Sequence, residues 1–384
     1  MQIDIFQKMG KIFTDETVFT SRYIPQDLPG REEEIKELAF FLRPALENVP
    51  PGNIAIYGKP GSGKTVVTNY VLKLLNDKSK EMGMSDKLHL MYIPFSNVAT
   101  EVQILQYIIN AYSDKPIKLR GLGLSECYQI LERILSEKKG IFIFVFDEFD
   151  KLKTDNILYN LTRMNLQVSV IGISNDIKFM ERLDPRLKSS FGGNHVFFPP
   201  YNTAQLVTIL EQRVKLGANP SSVPNSVISL CASIAARQDG DARKAIDLLR
   251  VSIQIAEMDG RNVVEERDVY KAQHKIEMDA IKYLITKMPI HQKVVLLAIV
   301  LNEEQGKRNI TGEIYETYKE LCGKLCIRVS TLPWVTATIS EFNMLGIVDA
   351  RIVSHGSRGR TTKVKLGVPL KETKELLLSD LDLK

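Results

Sequence analysis

Hydrophobic positions along this chain follow three successive rhythms. Early on, short, mostly apolar runs appear: NIAIY at 53–57, IFIFVF opening IFIFVFDEFD at 141–150, and VSVIGIS at 168–174. Such runs read as strands buried on both faces, as in a parallel sheet. After the first run, Val67, Val71, Leu74 and Leu75 predict an amphipathic helix. From about residue 199 the spacing turns helical throughout. Leu206, Ile209, Leu210 and Val214 share one face, VISLCASIAAR continues, and Ala245, Leu248, Leu249, Ser252 and Ala256 share another. Past Met288-Pro289 the rhythm changes again. HQKVVLLAIVL predicts one helix, and Ile314, Tyr318, Leu321 and Leu325 mark a second. Ser330 is a candidate cap for a third, with Val335, Ile339 and Phe342 inward and a stop near Gly346. IVDARIV and TTKVKL then alternate as two strands joined by SHGSRGR. Three helices and a hairpin make a winged helix, a relative of the helix-turn-helix. The expected organisation is an α/β parallel-sheet core over 1–199, a helical lid over 200–279 and a winged-helix domain over 280–384.

Composition narrows this picture without redirecting it. A chain of 384 residues exceeds one ordinary core. The longest apolar run, Val294 to Leu301, is far short of the ~18 residues a bilayer span needs. The first residues show no stretch resembling a secretory signal. The expectation is a soluble cytoplasmic, nucleoid-associated protein with no membrane partner. Cys127, Cys231, Cys322 and Cys326 fit no metal-ligand spacing and read as reduced thiols. Charge is more informative by position than in total. Before Ala280 the chain balances thirty-five basic against thirty-five acidic residues; from there on it has sixteen against eleven. A basic excess confined to one end points to an acidic partner for that end.

The candidate chemistry sits on the strand ends. GKPGSGKT comprises Gly58, Lys59, Pro60, Gly61, Ser62, Gly63, Lys64 and Thr65, between a strand and a helix. In that context the spacing is a phosphate-binding loop. Its glycines let backbone N–H groups curl around phosphates, and the helix N-terminus adds partial positive charge. Lys64 is expected on the β- and γ-phosphates and Thr65 on Mg²⁺. Asp147 and Glu148 end the second strand, where open α/β sheets bind ligands. Asp147 would hold the metal through its water shell, and Glu148 would orient or deprotonate the attacking water. Asn175, after the third strand, can contact the γ-phosphate, although Asn is also a common turn residue there. Arg243, in the first turn of a lid helix, can point at a phosphate.

In this order, GKPGSGKT, FVFDEFD, GISND and GDARKA resemble an AAA+ ATPase. The resemblance makes these segments Walker A, Walker B, sensor 1 (Asn175) and sensor 2 (Arg243), and implies an AAA+ P-loop core with a helical lid. LDPRLKSSF resembles the segment that supplies an arginine to a neighbour's nucleotide, with Arg186 the candidate; a solvated surface Arg is the competing reading. YIPQDLPGREEEIKEL resembles the adenine-side loop, with Arg31 and Glu32 matching its pair and Gly30 standing where the family usually has His. No guanine-reading NKxD motif is found, so ATP and ADP are the expected nucleotides.

The hairpin explains the basic end. From Arg351 to Leu366 there is no acid. Arg358 and Arg360 fall at the tip, and Lys363 and Lys365 on one face of the return strand, opposite Thr362, Val364 and Leu366. Such a hairpin can enter a minor groove or grip phosphates; a charged edge strand is the alternative. The third helix offers Thr331, Thr336, Ala337 and Ser340 but no Arg or Lys, so bidentate guanine readout is not expected from it. Across nearly the whole length the chain resembles the archaeal replication initiators, relatives of the eukaryotic origin-recognition and cell-division-control ATPases; GISNDIKFMERLDPRLKSSF followed by FPPYNTAQL carries the match. The resemblance implies binding of double-stranded origin DNA through the wing and through a helical insertion within 97–125, with Lys115, Lys118 and Arg120 as candidates there. It also implies other initiator paralogues and helicase-loading proteins as partners. Two other readings fit the motifs: an ATP-switched transcription or signalling regulator, and a clamp-loader-like ATPase.

Overall fold

The computed structural model describes residues 11–20, 23–94, 100–151, 156–176, 178, 181, 183–354 and 360–383. The chain divides into two compact units, Met1–Ala272 and Gln273–Lys384.

The first unit is built on five parallel strands in the order β2-β3-β4-β1-β5. They are β1 (Ile54–Gly58), β2 (Leu88–Pro94), β3 (Ile141–Asp147), β4 (Val168–Ser174) and β5 (His195–Phe198). The three runs read from the sequence are β1, β3 and β4. The strands at the two edges, β2 and β5, were not anticipated. Alternation along β3 divides the core. Ile141, Ile143 and Val145 face one layer with α1 (Glu32–Leu42) and α2 (Lys64–Glu81). Phe142, Phe144 and Phe146 face the other, with α3 (Glu101–Tyr112), α4 (Leu124–Lys138), α5 (Asn156–Arg163) and α6 (Pro185–Ser190). All six are fully buried or nearly so, and each contributes about 1.5–3 kcal/mol by leaving water.

On α2, Val67, Val71 and Leu75 are buried as expected, but Leu74 is 49% exposed and Leu72 takes the inward place. The buried arc runs from Val67 through Val71, Leu75 and Thr68 to Leu72; at about 100° per residue its middle lies near Leu75, with Leu72 roughly 60° from it and Leu74 roughly 100°.

The lid is α7 (Thr203–Gly217), α8 (Asn225–Gln238) and α9 (Ala242–Met258). Asn202 and Gln205 form a reciprocal capping box that starts α7. The expected faces are buried: Leu206, Ile209, Leu210 and Val214 on α7, and Ala245, Leu248, Leu249, Ser252 and Ala256 on α9. The chain near its N-terminus is strapped to this lid. Asn219 N–H donates to Ile12 O at 2.9 Å, and Thr14 N–H to Gly217 O at 3.0 Å. Helix α10 (Glu266–Lys287) follows, and the division between units falls within it.

The second unit packs α11 (Ile290–Glu304), α12 (Thr311–Lys324), α13 (Leu332–Met344) and α14 (Leu370–Asp380) around the hairpin β6 (Val348–Ser354) and β7 (Arg360–Leu366). This is the winged-helix pattern read from the sequence, with α14 added. The position before helix α13 is held by Thr331 rather than Ser330, and its side chain makes no capping hydrogen bond. Val335, Ile339 and Phe342 are buried, and Gly346 at φ +71 ends the turn that follows.

Candidate nucleotide and nucleic-acid sites

Parallel strands place β3, β4 and β1 side by side with their C-terminal ends together. The residues that follow these three strands therefore converge on one cavity of about 1010 Å³. Its lining joins polar residues, Lys64, Thr65, Asp147, Glu148, Asn175 and Arg243 among them, with apolar ones that include Phe19, Tyr23, Pro25, Leu28, Ile209 and Ile246. The core supplies most of the first set. The N-terminal segment and the lid supply the second. A mixed lining of this kind suits a molecule with both charged groups and a flat ring.

In the phosphate loop, Gly61 and Gly63 adopt φ +72 and +93. A Cβ on Gly61 would lie 1.8 Å from Asp241 Oδ1, and one on Gly63 would lie 2.6 Å from the Tyr201 hydroxyl. Only glycine permits both the left-handed turn and this closeness. Helix α2 begins directly after, with no side-chain cap on its N-terminus. Lys64 is only 5% exposed, and its ammonium donates to Gly58 O and Lys59 O, both at 2.8 Å. Burial lowers its pKa to about 8, with Asp147 opposing and Arg243 adding to the shift. Lysine, glycine turn and uncapped helix together fit a polyphosphate.

Thr65 Oγ1 donates to Asp147 Oδ2 at 3.0 Å. Two hard oxygen donors beside a phosphate cradle fit Mg²⁺, which takes few protein ligands and keeps several waters. The Glu148 N–H donates to Asp147 Oδ1 at 2.9 Å, and Glu148 itself stands at φ +56 with its carboxylate 2.6 Å from Lys151 Nζ. The Asn175 N–H donates to Asp150 Oδ1 at 3.1 Å, which fixes the turn after β4. Arg243 is exposed in the first turn of α9, whose cap Asp241 accepts its N–H at 2.7 Å. The lid meets the phosphate loop directly, Ala242 N–H donating to Gly61 O at 3.3 Å.

Other expected residues lie outside the cavity wall. Arg31, expected on the adenine side, is fully buried behind the loop. It donates to Ser62 O (2.9 Å), Glu34 (2.8 Å) and Pro199 O (2.6 Å), and its guanidinium lies 3.8 Å from the centre of the Tyr201 ring. It is a strut of the phosphate loop. Gly30, at φ +75, sits where a Cβ would come within 2.9 Å of Gln205, which explains why a glycine suits this sequence. Lys59 turns outward to Asp239 at 3.7 Å. Ser62 is fully buried and Gly58 closes β1. Arg186 is exposed and paired with Asp184 at 3.2 Å.

Sequence reading missed Tyr92, whose phenol donates to Asp147 Oδ2, and Arg213, which lies 6% exposed on the wall and donates to Val18 O at 2.8 Å. Burial first, then the hydrogen bond to Asp147, holds the Tyr92 phenol well above the usual tyrosine range. Arg213 had a signal in its place on the inward face of α7. Tyr92 had none, because β2 itself was not read.

Among the described residues, exposed basic side chains stand in both regions expected to meet DNA. In the loop between α3 and α4, Lys118 and Arg120 are exposed on either side of Leu119, which is 1% exposed. Gln106 Oε1 accepts the Leu119 N–H at 2.8 Å, and Asn110 Oδ1 accepts the Ile117 N–H at 3.0 Å. Lys115 is exposed on the same loop. In the second unit, Lys363 pairs with Arg351 and Lys365 with Asp349 across the hairpin. Both lysines are exposed, whereas Val364 and Leu366 are buried. Arg360 opens β7, and Arg358 lies outside the described residues. The hydroxyls of Thr336 and Ser340 donate to the carbonyls of Leu332 and Thr336 on their own helix, at 3.0 and 3.1 Å.

Comparison with known proteins agrees along the whole chain. Residues 27–170 match the AAA ATPase domain family, 207–274 the Cdc6 AAA+ ATPase-type lid domain and 283–376 the CDC6 C terminal winged helix domain. The ORC1-type DNA replication protein of Pyrococcus abyssi is 42% identical over 373 residues, covering 94% of this chain and 88% of its own. ORC1-type DNA replication protein 1 of Methanosarcina acetivorans is 39% identical over 393 residues, covering 99% and 94%. Among solved structures, the Aeropyrum pernix ORC1 protein in complex with DNA is similar with a TM-score of 0.83 and 39% identity, covering 97% of this chain and 98% of that one.

Proposed function

Because this chain belongs to the family of ORC1-type DNA replication proteins, we propose that it is an ATP-controlled initiator that binds double-stranded origin DNA. The observation that carries this reading is the shared cavity: the phosphate loop and the lid both line it, so its occupant bears on how they meet. ATP or ADP lies with its phosphates on the loop and its base among Tyr23, Pro25 and Ile209. Lys64 exchanges its two loop carbonyls for phosphate oxygens, and Arg243 approaches the same phosphates from the lid. Thr65 and Asp147 hold Mg²⁺, which neutralises phosphate charge when bound. Glu148 leaves Lys151 to orient the attacking water, and Asn175 holds the γ-phosphate side. Arg186 serves a neighbouring copy's nucleotide. Hydrolysis is slow and works as a switch.

DNA is engaged at two places, the hairpin with Arg358, Arg360, Lys363 and Lys365, and the α3–α4 loop with Lys118 and Arg120. Thr336 and Ser340 meet bases or phosphates from α13. Initiator paralogues and helicase-loading proteins are the expected protein partners. Among the described residues, no helix is long and apolar enough to cross a membrane.

The test is binding of the full chain to origin duplexes across a salt series, with ADP and with ATP. Replacing Lys363 and Lys365 by Ala is expected to lower the log–log salt slope by about 0.9 for each phosphate that the variant no longer neutralises. No duplex binding at low salt with either nucleotide overturns the reading.

A further inference from the structure

Among the described residues, a side chain outside the motifs reaches the phosphate site. Tyr92 lies on β2, where its register partner is Val145 of β3, two residues before Asp147. Its phenol reaches the end of β3 and donates to Asp147 Oδ2. That oxygen also takes the Thr65 hydroxyl at 3.0 Å, while Oδ1 takes the Glu148 N–H at 2.9 Å. The carboxylate is thus held by donors from α2, from β2 and from the turn after β3.

These donors differ in what a metal would ask of them. The Thr65 oxygen is itself a proposed ligand, so its hydroxyl must serve the ion as well as Asp147. The Glu148 N–H sits on the backbone turn that carries the proposed catalytic carboxylate. Tyr92 has neither duty. It comes from a sheet strand paired along its length with β3, and its ring is partly buried beside the core layer that α1 and α2 cover. Partners of this kind orient a carboxylate toward a metal without touching the metal.

We propose that Tyr92 is a positioning residue for the magnesium ion of the bound nucleotide, holding the Asp147 carboxylate in one orientation toward the ion's water shell. The inference rests on the reading of Thr65 and Asp147 as the metal site. It predicts that the phenol matters for the nucleotide only when magnesium is present.

The experiment measures binding of a fluorescent ATP analogue to the full chain, in EDTA and across a Mg²⁺ titration, for wild type, Tyr92→Phe, Tyr92→Leu and Asp147→Asn. Melting temperatures without nucleotide accompany each protein. Tyr92→Phe keeps the ring and is expected to bind in EDTA as wild type does. Its half-saturating Mg²⁺ concentration is expected to rise roughly tenfold, the lower end of what losing such a partner costs. Tyr92→Leu should show the same metal defect, since it also lacks the hydroxyl, and Asp147→Asn a larger one. Equal Mg²⁺ half-saturation in wild type and Tyr92→Phe overturns the proposal. So does an equal loss of affinity with and without Mg²⁺, which marks a packing role only. If wild-type binding itself ignores Mg²⁺, the assignment of Thr65 and Asp147 fails, and Tyr92 falls with it.

Discussion

At the scale of single residues, Lys64 and Glu148 stand at the same cavity with different expected duties, and substitution separates them. Lys64 is a nearly dry ammonium that satisfies itself on the carbonyls of Gly58 and Lys59. Phosphate oxygens are better partners for it, because both members of the pair are then charged. Lys64→Ala is therefore expected to abolish ATP binding at micromolar nucleotide. Glu148→Ala is expected to keep that binding and to lower turnover at least a hundredfold, the usual size of a general-base contribution. Equilibrium binding and phosphate release, measured on the same preparations, check both. Equal turnover in Glu148→Ala and wild type would remove Glu148 from the chemistry. These two residues were legible in the sequence because each lies within a few positions of the loop or strand that defines it. Arg31 was legible as important but not as a strut, since its partners Ser62 and Pro199 lie 31 and 168 residues away. Tyr92 was not legible at all: its bond to Asp147 spans 55 residues and exists only because β2 pairs with β3.

At the scale of elements, local spacing was readable where an element is buried on a regular face, and less so at edges. Strand β3 shows as an uninterrupted apolar run up to Asp147, and β4 as a run broken by the small buried Ser169, because both of their faces are covered. Strand β2, LHLMYIP, has one neighbour strand and admits His89, Tyr92 and Pro94, which blur the pattern. The resemblance implied a helical insertion within 97–125, whereas its basic candidates Lys115, Lys118 and Arg120 lie in the loop that follows α3; that loop is bonded to Gln106 and Asn110, side chains on a helix surface that carry no sequence signal. Gln106→Ala should leave the Leu119 N–H and the Ile117 carbonyl without their partners and free Lys118 and Arg120 to spread. The expected outcome is a severalfold loss of duplex affinity with ATP affinity unchanged, read by fluorescence anisotropy and nucleotide titration. Unchanged duplex affinity would mean that the order of this loop is irrelevant to DNA. At the start of α10, Asp268 is fully buried. It accepts from Arg261 at 2.7 and 2.6 Å and from the Glu265 N–H at 2.9 Å. Burial pushes this carboxyl up, but the Arg261 and Glu265 bonds outweigh it, and its pKa lies below the ordinary 3.8. A depressed carboxylate stabilises the fold above its unfolded-state pKa and loses that effect as pH falls through the folded value. Asp268→Asn is expected to cost about 3 kcal/mol near neutral pH, as for breaking a buried pair. The gap from wild type should stay flat above about pH 5 and close below it. Urea denaturation at pH 7 and pH 3.5 measures this, and a gap independent of pH would contradict the assignment.

At the scale of the whole molecule, the basic excess after Ala280 and the basic loop between α3 and α4 belong to different compact units of one chain. Each alone offers few cations, and α13, the third helix of the winged-helix pattern, offers no Arg or Lys. If both grip one duplex, the second grip forms at the effective concentration set by the first, and the joint affinity exceeds either alone by about 10²–10⁴. If each binds separately, the chain behaves as two weak modules. The two cases differ in how losses combine. Under joint engagement, Lys118→Ala with Arg120→Ala removes most of the affinity, and so does Lys363→Ala with Lys365→Ala. All four changes together then cost little beyond either pair, because the remaining module is already weak. Under independent binding each pair leaves the other module's affinity intact, and only the fourfold variant loses everything. Duplex length adds a second handle. Shortening the DNA until only one surface fits should reduce wild type to the level of a paired variant, with no further effect on that variant. Anisotropy titrations on a length series, at one fixed salt concentration and with ATP present throughout, are expected to show the joint pattern. A wild type whose affinity ignores duplex length, down to DNA that fits only one surface, would leave the two basic surfaces energetically unlinked and restrict DNA binding to one of them.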